Sequence, residues 1–105
     1  MATIKEKRLY AFGLWQKQHG VDDSTSHGII RYYFQTPKSQ TKHAIDKRHD
    51  YANTEKALLY VKHKLKDPTV QENKYLYQFF NIVYGRLLDA CCNYLESHLS
   101  LITKF

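Results

Sequence analysis

Only two prolines, at 37 and 68, and four glycines, at 13, 20, 28 and 85, interrupt the 105 residues of this chain. Helices need long stretches free of such residues and strands need frequent turns, so the spacing of the breakers predicts an all-α protein. Hydrophobic residues are 43% of the chain, enough for one modest core, and a single helical domain over residues 1–105 is expected.

Hydrophobic periodicity places the helices. Between residues 3 and 18, Ile4, Ala11, Phe12, Leu14 and Trp15 gather on one side of a 3.6-residue period, and Gly20 stops the helix. Asp22, Asp23 and Ser24 offer capping oxygens to a second helix carrying Ile29, Ile30, Tyr33 and Phe34, which Thr36-Pro37 ends. Residues 29–34 are rich in β-branched and aromatic types, so a short strand competes there. The polar, basic stretch 38–52 reads as a short helix or an ordered loop. From Asn53 or Thr54 a stronger helix buries Ala57, Leu58, Val61 and Leu65.

Asp67-Pro68 marks the last helix start, with Asp as cap and Pro where a missing N–H costs nothing. Downstream, Gln78, Asn81, Gly85, Asp89, Asn93, Glu96 and Ser100 recur every three or four residues as one polar stripe on an otherwise apolar cylinder. Unbroken, this segment would span about 50 Å, against a radius of gyration of about 13 Å for a globule of this length. Either Gly85 breaks it into two antiparallel helices, or it projects and buries its surplus against a second protomer or another protein. The expected architecture is a bundle of some four or five helices around this long C-terminal one, with Trp15, Ile29, Phe34, Leu58, Val61, Phe80, Val83, Leu87 and Leu95 in the core.

Charge is concentrated in the middle. Residues 38–66 hold eight of the 16 basic residues and three of the 10 acidic ones, so most of the formal net charge of +6 lies there. The set is Lys38, Lys42, Lys47, Arg48, Lys56, Lys62, Lys64 and Lys66, with His43, His49 and His63 able to add charge in mild acid. Clustered cations on weakly apolar elements suit a phosphate backbone, because affinity there comes from counterion release. They equally suit an acidic protein surface, or simply form a solvated face. Tyr32, Tyr33, Phe34 and Tyr51 flank the cluster and are either base-stacking platforms or core.

Residues 10–35 resemble a helix-turn-helix in layout, with His27 and Arg31 as candidate base readers. The match is partial: Gln16 stands where a small residue belongs and Ser26 where an apolar one does. His43, His49 and His63 with Asp46 and Asp50 are the one cluster suggestive of metal or acid–base chemistry, but the spacing specifies no third ligand and the surrounding cations oppose a divalent ion. Glycine-rich phosphate loops and Gly-x-Ser-x-Gly elbows are absent from the sequence. Adjacent Cys91 and Cys92 point about 100° apart on a helix, which argues against a mutual disulfide. No enzyme, cofactor or metal is expected. The charged opening and the lack of a long apolar run lead to the expectation of a soluble cytoplasmic protein with no membrane partner.

The leading functional expectation is a non-enzymatic accessory or regulatory protein that engages nucleic acid or a nucleoprotein complex through 38–66, self-associating as a homodimer through its C-terminal helix. The seven residues Asp67-Pro68-Thr69-Val70-Gln71-Glu72-Asn73 resemble the helix opening of immunity proteins for class IIa bacteriocins, small basic helical bundles that protect the producing cell through protein contact. In that family the segment lies near the N-terminus, whereas here about 30 residues follow it. The resemblance implies the alternative: an inhibitor or immunity-type protein, phage or mobile-element encoded, such as an antagonist of a host nuclease or defence complex, acting by steric blocking.

Overall fold

The structure is a computed structural model that describes the backbone of residues 2–34 and 48–102 and the side chains of 2–34 and 52–95. Among the described residues there are five helices and no strand: α1 (Ile4–His19), α2 (Asp23–Phe34), α3 (Arg48–Lys64), α4 (Pro68–Gln71) and α5 (Lys74–Ile102). Every other helix packs against α5, and α2 also packs along α3.

The local chemistry accounts for the boundaries. Thr3 caps α1 through a reciprocal pair of bonds, its hydroxyl accepting from the Glu6 N–H at 3.1 Å while the Glu6 carboxylate accepts from the Thr3 N–H at 3.4 Å. Gly20 closes α1 in the left-handed region at φ 59°, where a side chain would be strained. Residues 29–34 are helical, not extended, since α2 has two helices to pack on and its apolar residues fall on one side. Gly28 lets α2 approach α3 closely: a Cβ there would sit 3.3 Å from that of Ala57. The α3 helix starts at Arg48, ahead of the expected Asn53 or Thr54.

The predicted helix from Pro68 is interrupted, but at Glu72–Asn73 rather than Gly85. Asp67 caps a single turn by accepting from the Thr69 N–H at 2.9 Å. Asn73 then starts α5 afresh, its side chain accepting from the Leu76 N–H at 3.2 Å. Gly85 lies exposed within continuous helix, consistent with a cost of only about 1 kcal/mol relative to Ala. At about 1.5 Å per residue α5 runs for most of the molecule's 53 Å length, and the radius of gyration reaches 14.8 Å. No described helix is long and apolar enough to cross a membrane.

The core is aromatic. Phe12, Tyr32, Phe79 and Phe80 are fully or almost fully buried with Ile29, Val61, Val83 and Leu87. Phe12 stacks on Phe79 at 4.6 Å and meets Phe80 edge-on at 5.7 Å. The buried Trp15 indole donates to the Tyr60 hydroxyl at 3.0 Å, and the Tyr33 hydroxyl donates to the Lys5 carbonyl at 2.9 Å, so these polar tips are satisfied. Three expected core residues are placed differently. Phe34 is 48% exposed: inward positions of α2 are 25, 29, 32 and 33, and Phe34 turns past them to lie under the Lys5 ammonium, 5.0 Å from its ring centre. Leu95 is 45% exposed, and Cys91 is the last buried residue among the described side chains of α5. Leu58 is half-buried at the core's edge.

Candidate functional site

The basic set divides by position on the fold. Lys38, Lys42 and Lys47 lie outside the described residues, as do the flanking His43 and Asp46 and the side chains of Arg48, His49 and Asp50. The remaining lysines belong to α3 and the turn after it, and they face three ways. Because Ala57 and Val61 turn inward, Leu59, Lys62 and His63 turn outward; with Lys66 they line an open cleft of about 260 Å³. Lys64 lies two residues beyond Lys62, about 200° round the helix. It rests against the α1 side, its ammonium 5.4 Å from the Tyr60 ring centre and 5.8 Å from that of Trp15.

Lys56 is engaged within the chain. Its ammonium donates to Asp22 at 2.9 Å and to the Ser24 hydroxyl at 3.3 Å. Hydrogen bonds from Thr25, then from Ser24 and Lys56, hold the Asp22 carboxyl far below the usual carboxylate range. Since the folded value is depressed, this bonding is in place at neutral pH and is lost only as strong acid protonates Asp22. Both partners are more than half exposed, so the pair contributes little to stability and mainly removes Lys56 from the free cations. Lys62, Lys64 and Lys66 form no salt bridge with another described residue.

Sequence reasoning missed the aromatic end of this surface. His19 stacks on Trp15 with ring centres 3.5 Å apart, and its Nδ1 lies 3.1 Å from the Trp15 carbonyl. Their four-residue spacing on α1 was the available signal. Asp67 is the nearby acid; bonds from Thr69 lower its pKa first, and Lys64 and His19 lower it further.

The two departures from the helix-turn-helix pattern are partners: the Ser26 hydroxyl donates to the Gln16 side chain, tying α2 to α1. Asp22, at the entrance of that arrangement, is occupied by Lys56. Among the described residues no three His, Cys, Asp or Glu side chains group as a metal site. Burial pushes the Cys91 thiol up to about 11, with smaller contributions from Glu55 and Cys92, so it stays protonated at neutral pH and packs as a small hydrophobe. Cys92 is exposed.

A second recess lies between α1 and the start of α5. It has a volume of about 730 Å³ and is lined mainly by Leu9, Tyr10, Ala11, Leu14 and Tyr75. Tyr10 is 69% exposed and Leu14 45%. No protein-family model, curated protein or solved structure matches the chain.

Proposed function

We propose that this chain is a non-enzymatic accessory or regulatory protein that engages nucleic acid, or a nucleoprotein complex, through its basic middle third. The observation that carries this reading is the outward face of α3, where Lys62, His63 and Lys66 meet around the exposed Leu59 in a cleft whose lining contains no carboxylate. Cations free of internal partners can exchange condensed counterions for phosphates, and an apolar side chain between them tolerates any base or sugar. Contacts of this type position a backbone and carry little sequence information. Lys56 is subtracted from the surface by Asp22, and Lys64 contributes from the adjoining aromatic edge.

Salt dependence tests this directly. If about five phosphates are neutralised, log affinity for a duplex falls against log salt with a slope of roughly −4.5. Replacing Lys62, Lys64 and Lys66 together by Glu is expected to abolish retention in a filter or mobility assay at low salt. Absence of retention of any duplex or single strand by the unaltered protein would overturn the reading.

Self-association through α5 is the second part of the proposal. Leu88 and Leu95, seven residues apart on one side of the helix, are exposed at 39% and 45%, and Cys92 between them is exposed as well. Residues at this spacing form the seam of paired helices. Sedimentation equilibrium should show a concentration-dependent dimer that Leu88→Glu with Leu95→Glu converts to monomer. A strict 12.5 kDa species at high concentration would exclude it.

A further inference from the structure

We propose that the recess between α1 and the start of α5 is a docking site for an acidic amphipathic helix of a partner protein. This inference is independent of the polyanion reading, since it uses neither α3 nor its lysines. Helix α1 is apolar on two sides. Phe12 and Trp15 face the core, while Tyr10 and Leu14, each two residues from Phe12 and so about 160° round from it, face solvent.

The recess is shallow and open, and its volume of about 730 Å³ leaves room for large apolar side chains of an element laid across α1 and the start of α5, as an amphipathic helix would lie. Its rim supplies the charge preference. The ammonium groups of Lys7 and Lys74 each lie 5.7 Å from the Tyr75 ring centre, bracketing that wall with positive charge. The one acid in the lining, Glu6, is turned to the capping box and accepts from the Thr3 hydroxyl at 3.0 Å. An incoming helix with leucine-type anchors at i, i+3 or i+4, and i+7 therefore meets an apolar floor, and its flanking carboxylates meet lysines.

The test uses the full chain and fluorescence polarisation with a labelled synthetic peptide bearing leucines at helical spacing on a glutamate background. A counterpart with every glutamate replaced by lysine, and vesicles of anionic phospholipid, are the comparison probes. The glutamate peptide should bind saturably and about tenfold or more tighter than the lysine peptide, a difference of about 1.4 kcal/mol. Tyr10→Asp with Leu14→Asp should abolish this binding while circular dichroism shows the helical fold retained, Tyr10 being 69% and Leu14 45% exposed. Lys7→Glu with Lys74→Glu should reverse the charge preference, and Lys62→Glu with Lys66→Glu should leave it unchanged. Equal binding of both peptides, binding of neither, insensitivity to the Tyr10 and Leu14 changes, or binding to vesicles alone would overturn the proposal. Loss of nucleic-acid retention with peptide binding intact would count only against the polyanion reading.

Discussion

Phe79→Ala is expected to destabilise the protein by about 3–5 kcal/mol. The ring is fully buried and joins three helices: it stacks on Phe12 of α1 at 4.6 Å, lies 4.5 Å from Tyr33 of α2, and meets Phe80 of its own helix at 5.9 Å. Truncation removes the transfer free energy of the ring and leaves a cavity that three helices cannot close without moving. Each aromatic pair adds about 0.5–1.5 kcal/mol beyond buried area. Against a typical domain stability of about 5–15 kcal/mol, little margin would remain. Tyr77→Ala, two residues away on the same helix but 39% exposed, is the control and should cost far less. Urea denaturation monitored by circular dichroism measures both, and equal midpoints for the two variants would show that the core is not centred on Phe79.

Arg86→Ala is expected to cost about 2–3 kcal/mol, because the guanidinium holds the end of α2. One nitrogen, Nη1, donates to the Tyr32 carbonyl at 3.1 Å and to the Tyr33 carbonyl. Both carbonyls belong to the last turn of α2, and a cation there opposes the negative end of the helix dipole. Hydrogen bonds to a charged group are worth about 1.5–3 kcal/mol. For a domain of this size the melting temperature should fall by about 10 °C. Arg86→Lys should recover part of the loss, since an ammonium keeps the charge but not the planar fork. A melting temperature unchanged in Arg86→Ala would mean that α2 is held by its apolar face alone.

Legibility from sequence followed the range of the interaction. Gly20, Asp67 and Pro68 act on their immediate neighbours, and each sits where residue type alone put it. Asn73 acts locally too, and its capping side chain was a readable signal that the apolar run around it obscured. Phe34 and Leu95 were misplaced because periodicity states which residues share a face, not where a facing helix ends. The basic stretch illustrates the same limit. Its composition was plain, but that Asp22 takes up Lys56 across 34 residues, and that Lys62 and Lys64 diverge on α3, depends on how α2 and α1 lie against it.

The amino-acid sequence by itself determined the all-α class, the stop at Gly20, the helix start at Asp67-Pro68 and the concentration of positive charge in the middle of the chain, because breakers, caps and charge are properties of single residues and near neighbours. Only the tertiary structure decided that α5 passes uninterrupted through Gly85, that Arg86 secures α2, and that Tyr10 and Leu14 face an open recess. Those outcomes depend on which surfaces of distant segments meet, and an apolar or charged side chain carries no label for the partner that will cover it.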